Sequence, residues 1–346
     1  MIRQAALAVA AILASACGTQ DGLHIENGGR TVAPGSTKPH TTPTPTQPPS
    51  RTDSLVLGGR TAIAYTDGTL WCAVRAPGDR LIGSLIQVDT ATGHVTGTTE
   101  PLPPSDNPYL LAVTGGNVWV TGGDRLWRID TADGSVAATV DLQGRATALT
   151  GGLGDLWVTV EDAGGGRLMR LNADTGAPVA KARLGPGPSA LTVVPGAAWV
   201  TDSRRQTVTR YALRHRRIVR SATVALPLSD RRAPTQVTVY AGLVWVYERG
   251  RVIRIDPRTA AVVGTTTVAP AAGGTIAAGS GGIWVITRTR RHHSGAVRLL
   301  DGATGAGIGR RVVVGGDPSA LATDGHGVWV MDGPDGRLIR VTPAGG

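Results

Sequence analysis

The sequence of 346 residues contains no phenylalanine, only two cysteines and only two lysines, Lys38 and Lys181. Its N-terminal apolar stretch, residues 5–14, is too short to span a bilayer as a helix, which takes about 20 residues. The formal net charge of +10 comes almost entirely from arginine. A basic balance of this size favours anionic partners if the arginines cluster on one surface.

The N-terminus has the organisation of a secretory signal. Arg3 precedes the apolar stretch, and Ala14-Ser15-Ala16 forms a small-residue cleavage site. The segment Leu13-Ala14-Ser15-Ala16-Cys17 resembles the lipobox of bacterial lipoproteins. The resemblance implies removal of the signal peptide at residues 1–16, acylation of Cys17 with palmitate or a similar chain, and a location on the outer face of the bacterial cytoplasmic membrane. An ordinary secreted protein with an incidental cysteine is the alternative.

Residues 17–53 are rich in Thr, Pro, Gly and Ser and have hardly any large apolar side chains. Such a composition cannot bury a core, so this segment is predicted to be an extended tether that carries a domain at residues 54–346. With Cys17 acylated, Cys72 has no disulfide partner, and its apolar surroundings predict a buried core residue.

One sequence motif recurs seven times in residues 54–346. It consists of a small apolar residue followed by tryptophan and usually valine. Its tryptophans are Trp71, Trp119, Trp157, Trp199, Trp245, Trp284 and Trp329. The six intervals from Trp71 to Trp329 average 43 residues. A repeat of this length that is built from short β-strands is the signature of a propeller blade.

Each repeat contains four short strands, here lettered A to D, with the tryptophan in strand B. The seventh repeat ends after strand C, whereas an unassigned strand, residues 54–57, precedes the first strand A. Pairing of this strand with the last blade would remove an open sheet edge. The sequence therefore predicts an all-β fold, a seven-bladed β-propeller with four-stranded blades, closed by the N-terminal strand 54–57.

Two polar positions recur around the predicted ring and are interpreted as structural. Aspartates such as Asp89, Asp130 and Asp301 begin the turns between strands C and D, where they accept backbone hydrogen bonds. Strand C carries arginine at one equivalent position in five repeats and Gln87 or Leu299 in the other two; the arginines are Arg128, Arg170, Arg210, Arg254 and Arg340. A position repeated in this way indicates blade-to-blade hydrogen bonding.

Residues 54–342, with their Trp-Val strands and Asp-x-x-Thr-Gly turns, resemble the YVTN-type and streptogramin-lyase-like propellers of bacteria. That resemblance is specific for the fold, since such propellers serve as enzymes, binding modules and scaffolds. The predicted A strands, which would line the central channel, contain no His, Asp or Glu. We therefore expect no catalytic residues, no metal site and no cofactor.

Arginines that break the repeat are the candidate binding residues. They lie in the B–C loops of blades four and six and in the D–A loop after blade four, which propeller geometry places on one face. The candidates are Arg204, Arg205, Arg231, Arg232, Arg288, Arg290, Arg291, His292 and His293. A basic sector of this kind would attract a polyanion or an acidic protein, although solvated loop charges on a basic protein would give the same pattern.

The preferred hypothesis is a monomeric, non-enzymatic, lipid-anchored propeller that binds an anionic envelope polymer or another envelope protein. Nucleic acid is not expected, since no aromatic residues interleave with the arginines. One alternative is an enzyme of the lyase-like class whose site is built from loops and depends on metal and on His292 or Asp317. The other is a structural spacer in the envelope.

Overall fold

The computed structural model describes residues 50–56, 62–75, 83–99, 102–105, 110–227, 234–268, 274–289, 294–332 and 336–343. Within these ranges, no helix has the length and apolar character needed to cross a bilayer. The described strands form seven antiparallel sheets of four strands each. The prediction of an all-β, seven-bladed propeller is confirmed.

The strands of the first four blades follow one another in chain order. Blade one comprises β2 (Ala62–Thr66), β3 (Thr69–Arg75), β4 (Gly83–Asp89) and β5 (Val95–Thr98). Blade two comprises β6 (Leu110–Thr114), β7 (Asn117–Gly122), β8 (Arg125–Ile129) and β9 (Val136–Asp141). Blade three comprises β10 (Arg145–Gly152), β11 (Asp155–Asp162), β12 (Gly165–Asn172) and β13 (Pro178–Arg183). Blade four comprises β14 (Pro188–Val194), β15 (Ala197–Asp202), β16 (Thr207–Arg214) and β17 (Arg217–Ala225).

The last blade takes its fourth strand from the N-terminal side of the domain. Blade five comprises β18 (Gln236–Tyr240), β19 (Leu243–Glu248), β20 (Arg251–Asp256) and β21 (Ala261–Thr267). Blade six comprises β22 (Ile276–Gly279), β23 (Gly282–Thr289), β24 (Ser294–Leu300) and β25 (Gly307–Gly315). Blade seven comprises β26 (Pro318–Thr323), β27 (Val328–Asp332), β28 (Arg337–Thr342) and the closing strand β1 (Ser50–Val56).

The first strand of each blade contacts the first strand of the next, and β26 contacts β2, so these seven strands form the inner wall of a closed ring. The closing strand β1 pairs antiparallel with β28, with Leu55 opposite Leu338. This pairing confirms the predicted closure, although the strand begins at Ser50 rather than at residue 54. Residue 57 lies outside the described part of the chain.

The seven repeat tryptophans are core residues, as predicted, and are 0–5% exposed. Each lies in a hydrophobic cluster that joins its own blade to the next one. The cluster around Trp329 contains Leu70 and Cys72 and so joins blade seven to blade one. Because strand B packs against a neighbouring blade on each side, both of its faces are buried, and its central Trp-Val segment does not alternate with exposed polar residues. Burial raises the pKa of the Cys72 thiol to about 12, so this cysteine is an unreactive core residue.

The aspartates that begin the C–D turns cap the backbone, as predicted. Asp89 Oδ1 accepts the N–H of Thr92 at 2.7 Å, and Asp301 Oδ1 accepts the N–H of Thr304 at the same distance. Hydrogen bonds from the threonine of each turn hold the pKa of both carboxyls below the ordinary range. These carboxylates stabilise turns.

Three of the repeated strand C arginines bond the next blade, as predicted. The guanidinium groups of Arg170, Arg254 and Arg340 lie 5.3–5.8 Å from the ring centroids of the tryptophans in their own blades. Each donates a hydrogen bond to a backbone carbonyl in the C–D turn of the following blade. Arg340 reaches the carbonyl of Thr90 at 3.0 Å and so links blade seven to blade one.

The other two arginines of this set bond within their own blades. Arg128 donates to Asn117 at 3.1 Å, and Arg210 donates to Ser221 at 3.1 Å. In blade two the link to the next blade comes instead from Trp119, whose Nε1 donates to the carbonyl of Ala173 at 2.9 Å. In blade two the interblade hydrogen bond therefore comes from strand B, from the tryptophan that pairs with Arg128.

Candidate functional site

The B–C and D–A loops lie on one face of the ring, which we call the upper face. In blade four, the N–H of Ser203 in the B–C loop donates to the carbonyl of Gly187 in the preceding D–A loop at 2.7 Å. In blade seven, the N–H of Asp317 donates to Asp332 Oδ1 at 2.8 Å. These contacts place the B–C loop of blade four and the end of strand B in blade seven beside the D–A loops that lead into those blades; the C–D turns lie on the opposite, lower face.

Three of the predicted binding residues, Arg204, Arg205 and Arg288, are described and belong to the upper face. The others fall outside the described residues, as does the predicted acylation site Cys17; they are Arg231, Arg232, Arg290, Arg291, His292 and His293. The described part of the predicted sector therefore consists of two arginines in blade four and one in blade six.

Arg288 is held in an ion pair between blades. Its Nη1 donates to Asp317 Oδ1 in the D–A loop that leads into blade seven. Both side chains are about 30% exposed. This contact joins the two blades and engages Asp317, the residue suggested for an alternative enzymatic site.

Arg204 extends from the B–C loop of blade four toward blade three. Its Nη2 lies 2.7 Å from Glu161, whose second oxygen lies 2.9 Å from Arg145. The Arg204 side chain is 65% exposed despite this contact. Since one carboxylate serves two guanidinium groups, this part of the upper face keeps excess positive charge.

Arg205 faces a pocket of about 280 Å³ between blades three and four. In the part of the chain that the structure describes, no carboxylate lies within ion-pairing distance of Arg205. The pocket lies between the end of β13 and strands β15, β16 and β17. Its lining residues are Arg183, Leu184, Gly185, Pro188, Val200, Thr201, Asp202, Arg205, Thr207, Thr209, Tyr211, Arg220 and Thr223.

Asp202 is the one acidic residue of this pocket and is only 6% exposed. Its Oδ1 accepts the N–H groups of Arg204 at 3.0 Å and Arg205 at 2.9 Å, which fixes the B–C loop. Its Oδ2 is buried and has no hydrogen-bond donor among the described residues. A Cβ atom at Gly185 would lie 1.9 Å from Oδ2, so the absence of a side chain there leaves room for the carboxylate.

The far wall of the pocket carries hydroxyl groups. Thr209 and Thr223 lie opposite each other on β16 and β17, with their Oγ1 atoms 3.2 Å apart. Tyr211 follows on the same side of β16 and pairs in register with Arg220. Burial raises the pKa of the Tyr211 hydroxyl, which therefore stays protonated and can donate a hydrogen bond. The pocket thus combines cationic, hydroxyl and carboxylate groups.

Arg183, Asp202 and Arg220 were not predicted from the sequence, because each lies on a strand whose neighbours are known only after the blades pack. The available signal was a break in the repeat, since strand C of blade four begins with threonine where four other blades have arginine. Across the described residues there is no group of His, Cys, Asp and Glu side chains placed to hold a metal ion.

No protein-family model and no curated protein matches the sequence. Several solved structures are similar in shape. They include the β-propeller domain of Cps50 (Swd1) from Myceliophteria thermophila, at 12% identity and a TM-score of 0.65 over 85% of this chain and 99% of that one. BamB from Moraxella catarrhalis is 12% identical, with a TM-score of 0.57 over 85% and 99%. A chain of the mitotic checkpoint complex is 11% identical, with a TM-score of 0.65 over 92% and 98%.

At these identities the likeness shows the β-propeller fold alone. The resemblance to YVTN-type and streptogramin-lyase-like propellers stays a prediction from the sequence motifs.

Proposed function

We propose that this chain is a lipid-anchored, extracytoplasmic β-propeller that acts as a binding module and engages an anionic partner through the upper face. The main support for this proposal is the conformation of the B–C loop of blade four. Asp202 fixes this loop through two backbone hydrogen bonds, and the loop presents Arg204 and Arg205 to solvent. A fixed loop loses little conformational freedom on binding, so its charges are preorganised. The similar chain within the mitotic checkpoint complex supports the use of this fold in assemblies.

The contacts of the upper-face arginines indicate the chemical class of the partner. Arg204 shares Glu161 with Arg145, and Arg205 has no carboxylate within ion-pairing distance among the described residues. Exposed guanidinium groups steer anions and form paired hydrogen bonds with carboxylate or phosphate oxygens. An anionic polymer of the cell envelope supplies such groups at repeated spacing.

The test compares two double variants that remove the same charge from opposite faces. Arg204→Ser with Arg205→Ser changes the upper face, and Arg214→Ser with Arg216→Ser changes the exposed C–D turn of blade four on the lower face. Exposed ion pairs contribute about 0.2–1 kcal/mol each, so the upper-face variant should bind immobilised heparin about two- to thirtyfold more weakly. The lower-face variant should elute at the same salt concentration as the wild type. An equal loss of heparin affinity in both variants would show that heparin binding depends only on the net charge of the protein and not on the upper face.

The lipid anchor has its own test, since the chain contains only one other cysteine. Cells that express the protein are grown with an alkyne-bearing palmitate analogue. We expect the wild-type protein and the Cys72→Ala variant to incorporate this label. Cys17→Ser should lose the label and move from the membrane fraction to the soluble fraction, because stable anchoring needs acyl chains. Membrane association of unlabelled Cys17→Ser protein would contradict the anchor.

A further inference from the structure

Blade four differs from four of the other blades at the start of strand C; blades one and six, which have Ser84 and Ala296 there, also lack the arginine. In four blades the residue that pairs with the position three after the repeat tryptophan is an arginine. These residues are Arg125, Arg167, Arg251 and Arg337. In blade four the corresponding residue is Thr207, which pairs with Asp202.

Blade four therefore lacks the cross-strand arginine that pairs with a buried carboxylate in blade five. In blade five, Glu248 occupies the position of Asp202 and forms a 3.0 Å ion pair with Arg251. Asp202 is nearly as buried as Glu248, yet its Oδ2 has no donor in the described ranges and no arginine stands across the strand pair. A buried carboxylate oxygen without a donor is costly, so a ligand that supplies one is favoured at this place.

A second departure enlarges the space next to Asp202. Strand C residues two positions further on are large and apolar in five blades, namely Ile86, Trp127, Met169, Ile253 and Ile339. The equivalent residue of blade four is Thr209. With Thr207 and Thr209 in place of two large side chains, the groove is a pocket of about 280 Å³.

The rim of the pocket carries three guanidinium groups from separate segments. Arg183 ends β13, Arg205 belongs to the B–C loop and Arg220 lies on β17. All three are exposed, and none has an ion pair within the described ranges. Three like charges around one opening favour an anionic group there. A bare anion would meet the Asp202 carboxylate, so the ligand must also carry a hydrogen-bond donor.

We propose that this pocket binds one acidic sugar residue, a pyranose ring that carries a carboxylate or phosphate. Its anionic group contacts the rim arginines and a ring hydroxyl donates to Asp202 Oδ2. Thr207, Thr209, Thr223 and Tyr211 supply hydroxyl groups that suit a polyhydroxylated ligand. The volume is near the lower limit of ordinary ligand pockets, about 300 Å³, which suits a single sugar ring. The assignment rests on the proposed binding function and names the ligand class.

Thr207→Arg is the decisive variant, because it introduces the arginine that four other blades carry and fills the pocket. Titration calorimetry with glucuronate should detect binding to the wild type at about 10 mM ligand, enough to reveal a Kd of about 1 mM or tighter. Glucose, which has no anion, and succinate, which has no hydroxyl, should bind at least tenfold more weakly. Thr207→Arg should bind glucuronate at least tenfold more weakly while its thermal midpoint stays equal or rises.

A second variant keeps the test valid if Thr207→Arg does not fold. Arg220→Ser, on the exposed outer strand, should lower glucuronate affinity at least fivefold with an unchanged thermal midpoint. Absence of glucuronate binding to the wild type, glucuronate affinity in both variants equal to that of the wild type, or tighter binding of glutamate than of glucuronate would each overturn the proposal.

The heparin experiment separates this proposal from the general binding function. Thr207→Arg adds a positive charge to the upper face, so its retention on heparin should be equal or stronger. Retention of heparin binding without glucuronate binding would reject the pocket and leave the anionic-partner function standing. Glucuronate binding without heparin binding would support the pocket and reject the proposed binding of an anionic polymer through the upper face.

Discussion

A chain that begins at residue 62, and therefore lacks β1, is expected to lose its cooperative thermal transition and to aggregate. Without β1, strand β28 becomes an unpaired sheet edge, which is a template for association with other chains. Leu55 also leaves the cluster that contains Trp329 and Cys72. Strand β1 has five paired positions, each of which contributes about 1 kcal/mol, and it also buries Leu55. Removal of β1 should therefore lower the free energy of unfolding by about 5 kcal/mol or more. That is comparable to the whole stability of many domains.

Two controls make this measurement specific to ring closure. A chain that begins at residue 50 should melt as the longer protein does, in circular dichroism and in calorimetry. A peptide of residues 50–61, added in excess to the shorter chain, should restore a cooperative transition by supplying β1 in trans. If the chain from residue 62 melted at the same temperature as the chain from residue 50, closure by β1 would not stabilise the ring.

Replacement of Asp324 by asparagine is expected to lower the free energy of unfolding by about 3 kcal/mol, since it breaks a buried ion pair. Asp324 is 4% exposed. Its Oδ2 accepts from Trp329 Nε1 at 2.8 Å and from Arg340 Nη2 at 2.9 Å. Arg340 in turn donates to Thr90 of blade one, so the loss weakens the junction at which the ring closes. Urea denaturation at pH 7 measures the change.

The same variant should change the response to acid. Burial by itself raises the pKa of the Asp324 carboxyl, but hydrogen bonds from His326, Trp329 and Gly327 and the charge of Arg340 bring it below the ordinary range. A lowered pKa contributes stability above the unfolded value of about 3.9, and that stability is lost as pH falls through the folded value. The difference in stability between wild type and Asp324→Asn should therefore shrink below about pH 4.

Asp89→Asn is the matched control, because Asp89 is a partly exposed turn aspartate whose pKa is also lowered. Its effect at pH 7 should be much smaller than that of Asp324→Asn. Parallel pH profiles for wild type and Asp324→Asn would show that this carboxylate does not carry the acid sensitivity of the closure.

Much of the fold could be predicted because its signals are local and repeated. The sequence pattern of the fifth repeat predicts strand A at residues 236–240 and strand B at 243–247, and the structure has β18 at Gln236–Tyr240 and β19 at Leu243–Glu248. A buried tryptophan strand, bounded by Gly and Asx turns, determines each blade almost independently of its neighbours. The arginine position of strand C is identified by the same repetition.

The binding surface was less predictable because its chemistry depends on contacts between blades. Arg204, Arg205 and Arg288 look alike as members of irregular loops. In the folded ring Glu161 partly neutralises Arg204 and Asp317 pairs with Arg288, whereas Arg205 faces the pocket. Both carboxylates come from segments distant in the chain, so no local pattern distinguishes the three arginines.

The sequence by itself determined seven blades, the tryptophan of each strand B and the strand that closes the ring, since each follows from a periodic local pattern and from the need to pair sheet edges. Only the tertiary structure decided where a buried carboxylate oxygen that has no donor among the described residues meets exposed guanidinium groups. Asp202, Arg183 and Arg220 come together because blade three packs against blade four, and the space among them exists because Thr207 and Thr209 are smaller than their counterparts in other blades.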